Sequence, residues 1–195
     1  MHAPKAQHMH AVTRILQYLK GSPGRGIWMH KTSHNSSTAY TDVDWARSPI
    51  DQRSTTGYCT FVGGNLVTWK SKKQSVVARS SAEAEYRAMT STTSEIIWLR
   101  ALLQDLGYGS SLPTPLFCDN QAAMHIASNP VFHERTKHIE VNCHFVRENV
   151  QANVIRTTFV PTTQQLADIF TKGLSALKFQ EILSKLGSID IFAPT

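Results

Sequence analysis

Four acidic residues fall at the ends or apolar edges of predicted elements: Asp42, Glu85, Asp119 and Asp168. Asp119 ends the apolar strand pattern of Leu116, Phe117 and Cys118, and a short helical stretch over 120–128 follows at once. A carboxylate there is costly to desolvate unless a positive group stands beside it. Glu85 shares a helix face with Met89 and Ile96, four and eleven residues on, and that face must be buried. Glu83 lies four residues before Arg87 on a polar face, where an ordinary surface ion pair is expected. Asp42 and Asp44 share one face of a strand, so alternation does not choose between them. Asp168 adjoins Ile169 at the edge of a short helix's apolar side. Gathered by one sheet, such acids suit a hard divalent cation, which takes oxygen ligands. Two such ions can clamp the attacking and leaving oxygens of a phosphodiester. Scattered, the four are capping or surface acids, and spacing alone leaves both readings open.

The elements that must position these acids are legible in outline. Val12, Ile15, Leu16 and Leu19 give helical spacing over 8–20, and Gly21-Ser22-Pro23-Gly24 ends it. Residues 33–37 read as a linker, with the core starting near Thr38. A strand around Tyr40–Trp45 precedes two strands joined at Gly63-Gly64-Asn65, a tight hairpin connection. Ser75-Val76-Val77-Ala78 is expected to continue the extended region. The longest predicted helix covers 82–106, with Ser80 or Ser81 as its cap and Gly107 as its stop. A strand at 115–119, a helix at 120–128, a helix carrying Ile139, Cys143, Val146 and Val150, a strand at 154–160, a helix at 163–171 and an amphipathic tail helix follow. Strands first and alternating units later imply a mixed sheet covered by helices.

Composition narrows the class. The chain has 195 residues, 41% hydrophobic and 17% charged, with a formal net charge of +6. No apolar run is long enough to span a membrane, and the N-terminus shows no signal-peptide hydrophobic region. Cys59, Cys118 and Cys143 show no paired spacing, so buried free thiols are expected rather than a zinc site or a disulfide framework. Residues 1–37 hold Lys5, Arg14, Lys20, Arg25 and Lys31 without an acid, and 65–80 hold Lys70, Lys72, Lys73 and Arg79 without one. That asymmetry suits either a phosphate backbone as partner or a solvated basic surface.

Five ordered blocks carry a resemblance: YTDVDWA, RSTTGYCTFVGGNLVTWKSKKQSVVARSSAEAEY, LFCDNQAA, RTKHIEV and VPTTQQLADIFTKGL, across residues 40 to 174. The chain resembles the ribonuclease H domain of copia-type retrotransposon Pol polyproteins, most like those of plants. The stretch HAVTRILQYLKGSPGRGI is similar to the segment that follows the reverse transcriptase there. The resemblance implies an α/β ribonuclease H-like fold, a five-stranded mixed sheet with an antiparallel meander, parallel strands and flanking helices. It implies a division into 1–37 (remnant of the reverse transcriptase C-terminal segment and linker), 38–174 (ribonuclease H) and 175–195 (helix and tail).

The implied activity is hydrolysis of the RNA strand of RNA–DNA hybrids during reverse transcription. A silent, nucleic-acid-binding remnant of the polyprotein is the alternative. The implied acids are Asp42, with Asp44 as the other choice, then Glu85, Asp119 and Asp168, holding two Mg²⁺ ions for which Mn²⁺ can substitute. Ser80, Ser81, Asn120 and Gln121 match positions of backbone and groove contact, although the serines equally read as helix caps. Lys72 and Lys73 are candidates for phosphate contact, or a solvated hairpin end. His138, in the run from Arg135, is expected as a helix start or a substrate clamp. His2, His8, His10, His125 and His133 show no metal-ligand spacing. The implied partners are an RNA–DNA hybrid and the reverse transcriptase portion of the same polyprotein, with no membrane. A cytoplasmic, particle-associated location follows by resemblance only. The chain departs from the family after Trp45-Ala46, where a Gly-Asp pair is common and Arg47-Ser48 stands instead.

Overall fold

A computed structural model describes residues 3–128 and 140–192. Its centre is a five-stranded sheet built from β2 (Ser37–Asp44), β3 (Thr55–Val62), β4 (Asn65–Lys73), β5 (Thr114–Cys118) and β6 (Ile155–Phe159). The strand order is β4-β3-β2-β5-β6. β2, β3 and β4 pair antiparallel, and β5 joins β2 and β6 in parallel. Gly63 and Gly64 turn the β3–β4 hairpin with φ of +57° and +80°, the left-handed pair that a two-residue hairpin demands and glycine supplies without strain. The expected mixed sheet and its meander are present.

α2 (Ser81–Asp105), α3 (Gln121–Ser128) and α4 (Glu140–Gln151) cover one face. Tyr86, Met89 and Ile96 of α2 pack there with Ala39, Leu116, Cys118, Cys143, Val146 and Ile155. The other face is closed by 3-10 turns at Thr162–Gln164 and Leu166–Phe170 and by α5 (Ala176–Lys185). Cys59, Phe61, Leu66, Leu166, Ile182 and Leu186 form that second core. The three cysteines are buried and none is in a disulfide.

Three expectations fail locally. Ser75 and Val76 form a bend and Val77 and Ala78 are irregular, so the segment is not strand. Val76 and Val77 are 43% and 50% exposed, so β-branched residues without a neighbour to pack on do not make a strand. The helix expected at 163–171 is two short 3-10 turns, because Gln165 between them is extended (φ −71°, ψ 109°). Its side-chain amide donates to the Thr41 carbonyl at 3.0 Å and its Oε1 accepts from the Ala167 amide at 3.1 Å. Glu83, expected outward, is 2% exposed. Its pair with Arg87 forms at 3.0 Å, but its other oxygen accepts from the Arg79 amide at 2.8 Å, which folds the carboxylate under the start of the helix.

Outside this core, α1 (Ala6–Lys20) buries no residue. β1 (Arg25–Ile27) pairs antiparallel with β7 (Ser188–Asp190), Gly26 opposite Ile189. Neither strand was expected, and together they tie the N-terminal segment to the C-terminal tail. No described helix is long and apolar enough to cross a membrane.

Candidate active site

Parallel pairing assembles the site. Ala39 stands opposite Leu116 and Tyr40 opposite Phe117. The same register carried two residues on sets Asp42 level with Asp119, just past the end of β5. This is the carboxyl edge of the parallel strands, where open α/β sheets bind ligands. Glu85 arrives from α2, whose start is fixed by Ser80: its hydroxyl accepts from the Glu83 amide at 3.1 Å. Asp42, Glu85 and Asp119 each offer a carboxylate oxygen, and these three lie within 4.8 Å of one another. Asp42 is 1% and Glu85 5% exposed.

These acids line an open cleft of about 460 Å³ with Val43, Asn120, Gln121, Phe159 and Lys172. Burial raises the Asp42 carboxyl to about 6, against the opposing pull of Lys172. Burial, with the charges of Asp42 and Asp119 adding to it, raises Glu85 well above the ordinary range. Neutral donors attend this half of the cleft. The Thr162 hydroxyl donates to Asp119 Oδ2 at 2.9 Å, and the Cys118 thiol approaches Glu85 Oε2 at 4.0 Å. Crowded carboxylates without a cation repel one another, so this oxygen-only donor set fits a hard divalent ion.

Asp168 reaches the site through Lys172. The Lys172 ammonium donates to Asp42 Oδ1 at 3.0 Å and to Asp168 Oδ1 at 2.7 Å. Its neighbour Thr171 donates through its hydroxyl to Asp42 Oδ2. Burial works against the Lys172 charge, but Asp42 and Asp168 outweigh it and hold its pKa above the ordinary lysine value. Gly57 lets this turn approach. It pairs with Asp42 across β2–β3, and a Cβ there would stand 2.6 Å from Thr171 Cγ2 and 2.8 Å from Phe170 Cβ.

The remaining candidates divide. Asp44, on the same strand face as Asp42, pairs instead with Arg47 at 3.7 Å. Gln121 lines the cleft. Asn120 caps α3, its Oδ1 accepting from the Ala123 amide at 3.0 Å. Ser80 is the α2 cap and Ser81 its exposed first residue. Lys72 and Lys73 line a different groove of about 320 Å³, with Lys70, Gln74 and Arg87, and Lys73 is paired to Asp51 at 3.1 Å. His133 and the run from Arg135 to His138 lie outside the described residues. The sequence reading missed Lys172, Thr171, Thr162 and Phe159. Lys172 alone left a signal, four residues after Asp168, but that spacing reads as an ordinary helical pair.

No family model matches the chain. It is 46% identical over 187 residues to the retrovirus-related Pol polyprotein from transposon RE1 of Arabidopsis thaliana, a match over 96% of this chain and 13% of that protein. The chain belongs with the copia-type retrotransposon Pol polyproteins. The polyprotein from transposon TNT 1-94 of Nicotiana tabacum is 37% identical over 177 residues, 91% of this chain and 13% of its own length. The chain therefore spans about an eighth of these relatives. Two solved structures share the fold. The ribonuclease H1 of Halobacterium salinarum gives a TM-score of 0.50 at 16% identity, over 70% of this chain and 94% of its own. LC11 ribonuclease H1, solved with an RNA/DNA hybrid, gives 0.52 at 12% identity over the same shares. The fold of this Pol segment is ribonuclease H-like.

Proposed function

We propose that this chain is a metal-dependent ribonuclease H that hydrolyses the RNA strand of RNA–DNA hybrids during replication of a copia-type element. The observation that carries the reading is the convergence of Asp42, Glu85 and Asp119 at the carboxyl edge of the sheet. The polyprotein relatives and the hybrid bound to a structural neighbour support it. Asp42, Glu85, Asp119 and Asp168 are the residues proposed to hold Mg²⁺, two ions in the substrate-bound state. When bound, the ions would supply charge neutralisation at the phosphate and a reactive water at neutral pH.

The chain's own groups supply position. Gln121 and Asn120 line the cleft, and their side-chain amides are the groups proposed to meet the 2′-hydroxyls of a wide minor groove. Asn120 spends its Oδ1 on the α3 cap, so its Nδ2 is the atom it offers. Ser80 and Ser81, exposed at the start of α2, stand ready for backbone contact. The groove lined by Lys70, Lys72 and Lys73 suits a flanking phosphate backbone. Water oxygen bonds to phosphorus, the P–O3′ bond breaks, and 5′-phosphate and 3′-hydroxyl ends result. Contacts to backbone and sugar carry little sequence information, so cleavage is expected along the whole hybrid. The exposed apolar face of α1, with Met9, Ile15, Leu16 and Leu19 more than half exposed, fits contact with the reverse transcriptase portion of the polyprotein.

The test is strand and duplex choice. With Mg²⁺, the chain should cut the labelled RNA strand of a hybrid and leave the DNA strand, double-stranded RNA and double-stranded DNA intact. Equal cutting of DNA, or hybrid binding without any cleavage by the folded protein, would remove the ribonuclease H reading.

A further inference from the structure

The cleft has two unlike halves. Asp42, Glu85 and Asp119 face one another with neutral donors around them. Asp42 and Asp168 are bridged by a cation of the chain itself, Lys172, at 3.0 and 2.7 Å. The bridge is built in. The amides of Thr171 and Lys172 both donate to the Asp168 carbonyl, at 3.2 and 2.9 Å, which closes the turn that aims Lys172. The Ser71 hydroxyl ties the same turn to β4 through the Phe170 carbonyl at 2.6 Å. Gly57 leaves the space the turn occupies. With Thr171 on Oδ2 and Lys172 on Oδ1, both oxygens of Asp42 already have donors.

A divalent ion seated between Asp42 and Asp168 would stand against this ammonium at contact distance, where like charges in a partly buried site repel strongly. Ammonium and ion therefore exclude each other there. In the other half the donors to Glu85 and Asp119 are neutral, so an ion there meets the ammonium only at Asp42, the acid the two halves share. A lysine on a flexible four-carbon stem can change partner, and a phosphate oxygen is a strong alternative acceptor. The Lys172 side chain keeps 27% of its surface exposed and lines the cleft that a phosphodiester would enter.

Resting on the ribonuclease reading, we infer that Lys172 is the resident cation of the Asp42–Asp168 half in the substrate-free protein. It confines metal binding to the Asp42–Glu85–Asp119 half until a phosphodiester draws its ammonium away. Lys172 is thus a positioning residue that couples second-ion entry to substrate.

The experiment is Mn²⁺ titration without nucleic acid, read by electron paramagnetic resonance and calorimetry, on wild type, Lys172→Gln, Lys172→Arg and Asp119→Asn. Wild type and Lys172→Arg should take up one ion per chain, Lys172→Gln should take up two, and Asp119→Asn should lose the wild-type site. Two ions on the wild type, with hybrid cleavage intact, would overturn the role of Lys172 and leave the ribonuclease reading standing. One ion on a Lys172→Gln chain of native circular dichroism would do the same. A wild type that takes up no ion, or whose uptake survives Asp119→Asn, would strike the ribonuclease reading and this inference together. The wild-type count alone decides against the inference even where a variant fails to fold.

Discussion

Asp42 belongs to both halves of one cleft, yet the halves solve the same electrostatic problem differently. Toward Asp168, the negative charge is met by Lys172, a cation encoded in the chain and held by a turn. Toward Glu85 and Asp119, a buried and a partly exposed acid are met by a thiol and a threonine hydroxyl. Charges taken out of water need a partner of opposite sign. The first half is therefore a finished structure, and the second leaves its acids with neutral donors, a set suited to the divalent ion proposed above. A site can be stable enough to fold and still reactive toward metal if only part of its charge is neutralised internally.

The largest effect expected on breaking the contrast comes from Glu85→Gln. Removing one oxyanion from the second half should lower hybrid cleavage by about 10²–10³-fold, the range for loss of one electrostatic group in an active site. The same change should raise the chain's melting temperature in chelator, since a buried like charge is gone. A variant that loses activity without gaining stability would show that Glu85 is not under repulsion.

Next in size is the pH dependence without metal. The folded-state pKa of Asp42 is raised from 3.8 to about 6. Its stabilising contribution is therefore full below about pH 4 and is lost as pH rises through about 6. The loss is on the order of 3 kcal/mol. Glu85 shifts in the same direction and carries the loss to higher pH. Lys172 stays charged throughout this window. Urea titrations in chelator at pH 4.5 and 7.5 should show the loss in wild type and a smaller one in Asp42→Asn, and saturating Mg²⁺ should offset it at pH 7.5. An equal loss in the variant would place the titrating group elsewhere.

Lys172→Met sharpens the comparison from the finished side. It should destabilise the metal-free chain by about 2 kcal/mol, below the roughly 3–5 kcal/mol for breaking a fully buried pair, because the Lys172 side chain is 27% exposed. Urea unfolding in chelator measures it, and no change would mean the bridge contributes nothing. Gly57→Ala should follow with about 1–2 kcal/mol of overpacking, as its methyl pushes Thr171 off Asp42. A variant as stable as wild type would show the turn to be loosely held.

Glu85 was legible in the sequence because a helical period marks which face is inward and Met89 and Ile96 mark it apolar. Asp42 and Asp44 were not separable, since a strand repeats every two residues. They separate only in the folded chain, where the register with β5 sets Asp42 level with Asp119 and Asp44 pairs with Arg47. Glu83 misled because its spacing to Arg87 predicts a pair but not its depth, which depends on the Arg79 amide. Ser75 to Ala78 misled because β-branched residues mark strands only where something packs on them. The helical period of α1 was correct, although α1 buries no residue. The local pairing of Lys172 with Asp168 was visible, whereas its reach to Asp42, 130 residues earlier, exists only in the folded chain.

The most direct measurement is cleavage of a hybrid labelled on its RNA strand, by the wild-type chain and by Asp119→Asn, with Mg²⁺ and in chelator. The account predicts RNA-strand cleavage that requires Mg²⁺ and is lost in the variant. Cleavage that survives chelator or the Asp119→Asn change, or a folded wild type that cuts nothing in Mg²⁺ or Mn²⁺, would contradict it.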